Sequence, residues 1–103
     1  MGKAFKNMGN KNYMSVEKKW TTTDLALTAA MMSLGHRLDS LEILLEGSNR
    51  RPKGEFLMVD TPELREHEDL YWSGECLVEP KTFVSHQRSL KSMVNQEIER
   101  LER

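Results

Sequence analysis

Apolar positions along the chain change their spacing several times, and each change marks an element. From Leu25 to Leu34 nearly every residue is apolar: Leu25, Ala26, Leu27, Ala29, Ala30, Met31, Met32 and Leu34. Thr22, Thr23 and Asp24 stand in front, where a hydroxyl or carboxylate can accept from an unpaired N–H of a first helical turn. Gly35 follows, suited to a left-handed stop. The pattern predicts a helix over 24–34, buried on most of its surface because no side of it is polar. Residues 36–45 read two ways. Leu38, Leu41 and Leu45 keep a helical step from Leu34, whereas Leu41, Ile43 and Leu45 alternate as in a strand. The turn formers and charges at 46–54 favour the strand, since a second short run, Glu55–Val59, follows them with Phe56 and Met58 facing one way and Leu57 and Val59 the other. Two short runs about a Gly/Asn/Pro loop predict a β-hairpin.

Two further helices complete the pattern. Thr61–Pro62 supplies an N-cap followed by a proline at the first helical position, where its missing N–H is harmless. Glu63 and Glu66 suit the positive end of the helix dipole, and the helix is expected to run to Trp72–Ser73 and stop at Gly74. Pro80 then opens a last helix in which Phe83, Leu90, Val94 and Leu101 form an apolar stripe widened by Val84 and Ile98. From 81 to 103 that helix would reach about 34 Å, and its last two turns are expected to project. The expected fold class is α+β: a helix, a two-stranded hairpin, a short acidic helix and a long amphipathic C-terminal helix. These form one small domain over 21–103, behind a flexible basic arm at 1–20.

Composition narrows the classes. The 103 residues hold one domain, 38% are hydrophobic and 30% charged, and 15 Lys+Arg against 16 Asp+Glu leave a net charge of −1. No apolar run approaches the length of a transmembrane helix, and the lysine-bearing N-terminus lacks the apolar stretch of a secretory signal. A single cysteine, Cys76, forms no internal disulfide and fits a reducing, cytoplasmic setting. Neither membrane association nor a small-molecule substrate is expected. Charge is nevertheless segregated. Residues 1–20 set Lys3, Lys6, Lys11, Lys18 and Lys19 against Glu17, a net of +4. Residues 60–79 carry seven carboxylates against Arg65, a net of −6, and 80–103 have a net of +2.

Candidate chemistry is sparse. His36, His67 and His86 fall on three different elements, so no local metal-ligand spacing arises, and HExxH and CxxC are absent. Carboxylates beside Cys76 raise a thiol's pKa, the wrong direction for a nucleophile, and no nucleophile elbow or phosphate loop is found. No enzyme activity, cofactor or metal is expected. Two basic clusters point elsewhere. Lys11, Lys18 and Lys19 lie among Tyr13 and Trp20, and Arg50, Arg51 and Lys53 sit at the hairpin tip. Both are suited to phosphate contacts and the first also to base stacking. The stripe of Phe83, Leu90, Val94, Ile98 and Leu101 exceeds what a two-stranded hairpin would cover, which suggests pairing with a copy or with a larger protein.

Thr22-Thr-Asp-Leu-Ala-Leu27, Asp60-Thr-Pro-Glu-Leu64, Tyr71-Trp-Ser-Gly-Glu75 and Leu77-Val-Glu-Pro80 together resemble a small family of uncharacterised proteins, a domain of unknown function seen in microbial, phage and metagenomic sequences. The resemblance spans about residues 21–95. It implies an architecture and a mobile-element setting, and it transfers no catalytic residue. Tyr71 and Trp72 are expected to wedge the turn at Gly74 against the hairpin. The reading that follows is a non-catalytic binding module, an accessory subunit or homodimer of a nucleic-acid-associated complex. The alternative is a phage or mobile-element inhibitor that engages a host protein through Glu63, Glu66 and Asp69.

Overall fold

The structure, a computed structural model, describes residues 18–46 and 51–102. It is an α+β fold in the order β1 (Lys19–Thr22), α1 (Leu25–Ser33), β2 (Leu38–Glu46), β3 (Arg51–Val59), α2 (Pro62–Ser73) and α3 (Pro80–Leu101). The three strands form one antiparallel sheet in the order β1-β3-β2. The segment around Leu38–Leu45 is thus a strand, and the hairpin gains a third strand that the sequence pattern did not show.

That third strand corrects the domain boundary. Residues 18–20 belong to the domain and not to an arm, because Lys19–Thr22 pairs with Phe56–Val59 and places Trp20 opposite Met58. Trp20 is buried, and its indole N–H donates to Glu68 Oε1 at 3.0 Å. The backbone N–H of Asp60 donates to the carbonyl of Lys18 at 2.9 Å, extending the ladder by one bond.

Strand alternation divides the sheet into two faces. Trp20, Phe56, Met58, Leu38 and Leu41 turn toward the helices, while Thr21, Ser40, Glu42, Glu55 and Leu57 line the opposite face. The register between β2 and β3 slips at Asp39, where two steps on β2 answer one on β3. Such a bulge keeps Leu38 on the core side despite the odd spacing to Leu41.

Helix α1 forms the centre of the core. Leu27, Ala29, Ala30 and Met31 are all buried, as its mostly apolar composition requires. Asp24 organises its start: its Oδ1 accepts from the Leu27 N–H at 3.0 Å, and its carbonyl accepts from the hydroxyl of fully buried Thr28 at 2.9 Å. The hydroxyl of Thr28 is thereby satisfied without water. Gly35, at φ 102°, then turns the chain toward β2.

Helices α2 and α3 close the core from two sides. Thr61 Oγ1 caps α2 by accepting from Leu64 N–H at 3.1 Å, and Gly74 ends it at φ 80°. Leu64 is fully buried against Trp20, Leu27 and Met31. The carboxylate of Glu79 caps α3 through the N–H groups of Thr82 and Lys81. Phe83, Leu90 and Val94 of α3 pack against Ala29 and Phe56. The last turns do not project: Ile98 and Leu101 border a shallow depression of about 270 Å³ with Ile43, Leu45 and Pro52 at the hairpin end.

Candidate functional site

The apolar stripe proposed for association is largely used inside the protomer. Leu90 is 0% exposed, and Phe83 and Val94 are half-buried in the same cluster. Burying a side chain of this size stabilises by about 1.5–3 kcal/mol, so these three residues hold α3 to its own domain and are not a free surface. A stripe at helical spacing reports that a face is covered, not what covers it. Ile98 is half-buried, and Leu101 at the end of the stripe and Val84 on its flank are exposed.

The expected cationic residues are dispersed. Lys11 and Arg50 lie outside the described residues. Lys18 is exposed just before β1, and Lys19 meets Asp39 of β2 across the sheet at 2.6 Å. Arg51 and Lys53 are exposed on β3, on the face that also carries Glu55 and Glu42. The two basic clusters therefore do not merge into a single patch among the described residues.

A cationic surface that the sequence reading passed over lies on α3. Between Glu79 and Glu97 the chain has no carboxylate, while Lys81, Arg88 and Lys91 are all exposed. At 3.6 residues per turn Lys81 and Arg88 fall on nearly the same line, opposite Leu90, and Lys91 flanks them. Pro80, Lys81, Val84, Ser85, Arg88 and Ser89 border an open depression of about 540 Å³. A second, of about 250 Å³, adjoins it at Leu25, Val84, Gln87, Arg88 and Lys91. The signal was present in the sequence as a long carboxylate gap. It was masked by counting charge over 80–103 as a whole, where Glu97, Glu99 and Glu102 dilute it.

The opposite charge gathers on α2. Arg65 is engaged by Asp60 in a two-point contact of 2.9 and 2.8 Å, which holds the Asp60 carboxyl below its usual range. Glu68 accepts from Trp20 at 3.0 Å and more loosely, at 3.4 Å, from Arg65 and from Trp72. Glu63, Glu66 and Asp69 remain exposed. Tyr71 is half-buried and packs on the core, with burial pushing its phenol up first and Asp24 and Cys76 adding to the shift. Trp72 departs from expectation. It is 62% exposed, standing edge-on to Tyr71 at a ring separation of 5.0 Å, so Tyr71 wedges the turn alone.

The histidines also hold a relationship invisible in sequence. His36 Nε2 lies 2.7 Å from His67 Nδ1, although 31 positions separate them. Among the described residues no group of three or more His, Cys, Asp or Glu side chains is placed to hold a metal ion, and no helix is long and apolar enough to cross a membrane. Comparison with protein-family models, curated proteins and solved structures finds no match, so no residue role is carried over from a relative.

Proposed function

We propose that the protein is a non-catalytic binding module of a nucleic-acid-associated complex, and that the outer face of α3 makes the phosphate contacts. The supporting observation is the grouping of exposed Lys81, Arg88 and Lys91 over a carboxylate-free stretch of one rigid helix, beside a depression edged by Ser85 and Ser89. Rigid spacing matters because cations fixed on a helix lose little freedom when they meet a backbone of fixed charge spacing. Serine hydroxyls among them add donors to phosphate oxygens. The end formed by exposed Leu45 and Leu101 with half-buried Ile98 supplies the association surface for an accessory subunit or a second copy, and Arg51 and Lys53 of β3 add charge at the hairpin.

The test is fluorescence anisotropy with labelled duplex and single-stranded oligonucleotides as salt rises from about 50 to 200 mM. The full chain should bind and release with salt, and a Lys81→Ala/Arg88→Ala/Lys91→Ala variant with unchanged circular dichroism should bind at least tenfold more weakly. Equal affinity in the two proteins rejects the assignment to α3.

A second reading is favoured by one observation. Trp72 at 62% exposure and Leu77 at 88% stand beside Asp69 and Glu75, and an exposed aromatic amid carboxylates suits a basic protein cleft. In that reading the protein is an inhibitor or regulator of a host protein, acting through α2.

A further inference from the structure

His36 and His67 come from the two sides of the joint between α1 and α2. His36 follows Gly35, in the turn that leads to β2, and His67 sits in the middle of α2. Their facing nitrogens are 2.7 Å apart, with ring centroids at 4.9 Å and planes at 66°. At that distance one proton must lie between the nitrogens. Two bare nitrogens would oppose lone pairs, and two protonated ones would oppose N–H groups. A pair of neutral rings can supply the single shared N–H. A pair that has taken up one proton can also supply it, since an imidazolium N–H donates to a neutral ring. Only the doubly protonated pair cannot.

Both rings are half-buried, so solvent relieves that conflict poorly. Burial first, and the facing His67 ring second, push His36 below the ordinary histidine value, against the opposing pull of Glu63 one turn before His67 on α2. Farther along α2, Asp24 and Cys76 act on Tyr71.

We propose that the His36–His67 pair is an acid-sensitive latch that fixes α2 to the α1–β2 turn, closed while one proton lies between the facing nitrogens and opened when both rings are protonated. The sign follows from linkage. His36 takes up protons less readily folded than unfolded, so the latch contributes fully above about pH 6.5 and is lost as pH falls below it. Other attachments of α2, among them the buried Leu64, the packing of Tyr71 on the core and the bonds of Glu68 to Trp20 and Arg65 to Asp60, do not depend on the imidazoles. Opening the latch therefore loosens α2 without unfolding the sheet, and this holds whatever partner the protein binds.

The test follows the imidazole C–H signals of the full chain by NMR from about pH 8 to 5. Melting temperatures and α2 amide exchange are measured for wild type, His36→Gln and His67→Gln, with His86→Gln, on α3, as control. His36 should titrate below the ordinary value. Wild type and the control should lose several degrees more on acidification than either latch variant, and α2 exchange should rise only where the latch is intact at neutral pH. Should a variant fail to fold, the wild-type titration decides. A His36 that titrates at or above the ordinary histidine value, or an acid limb shared by wild type and His67→Gln, overturns the latch.

Discussion

Gly54 of β3 lies directly beneath Val94 of α3: a Cβ built on Gly54 would stand 2.7 Å from Val94 Cγ2 and 3.3 Å from Leu41 Cδ1. The glycine is required by the close approach of the helix to the sheet. Val94 is branched at Cβ and has little rotamer freedom with which to yield. Gly54→Ala should therefore destabilise by about 1–3 kcal/mol, as overpacking does, measured by urea unfolding. Adding Val94→Ala should recover part of that loss, and the two changes should couple by at least about 0.5 kcal/mol. Strict additivity would mean that the sheet shifts away from the helix.

Trp20 makes the short β1 strand essential. Trp20→Ala should cost about 3–5 kcal/mol, the range for deleting a large buried side chain. Trp20→Phe, which keeps most of the volume and loses the bond to Glu68, should cost clearly less. Fluorescence separates the two tryptophans. In Trp72→Phe the remaining emission should resist acrylamide quenching, because Trp20 is buried. In Trp20→Phe it should quench freely.

Exposed contacts should matter less, however short they are. Lys19 and Asp39 approach to 2.6 Å, yet both are about two-fifths exposed, and pairs of that kind contribute about 0–1 kcal/mol. Asp39→Ala should fall within that range. Thr61→Ala, which frees the Leu64 N–H at the start of α2, should cost about 1 kcal/mol. Thermal unfolding of the two variants tests this order.

The helices were legible because their ends carry their own chemistry. Asp24, Thr61–Pro62, Gly35 and Gly74 act within one turn, so a local reading of sequence finds them. Strand β1 was not, because Lys19-Trp-Thr-Thr22 holds one apolar residue among polar ones, and only pairing with residues nearly forty positions away makes it a strand. Lys18 and Lys19 looked like the end of a basic arm for the same reason. The α3 stripe was legible as a buried face, but its partner was not, since periodicity cannot distinguish Phe56 and Ala29 from another protein. The His36–His67 contact and the Gly54–Val94 approach depend on tertiary placement alone, and no spacing rule could have shown them.

Charge on α2 and α3 offers the sharpest discrimination between the two functional readings. If α3 contacts phosphates, each neutralised phosphate steepens the dependence of log affinity on log salt by about 0.9. Removing Lys81, Arg88 and Lys91 together should then flatten the slope by up to about 2.7, in addition to weakening binding. Reversing charge on the other helix with Glu66→Lys/Asp69→Lys should leave that slope unchanged or steeper and the affinity unchanged or stronger, because it lowers the protein's overall repulsion of an anion. If instead α2 engages a protein, the reversal on α2 should abolish capture of that partner. The triple α3 variant should then retain it, as should a control at exposed Lys18. Glu66, Asp69, Lys81, Arg88 and Lys91 are all exposed and outside the core, so a loss in either arm with unchanged melting temperature reports on recognition and not on folding.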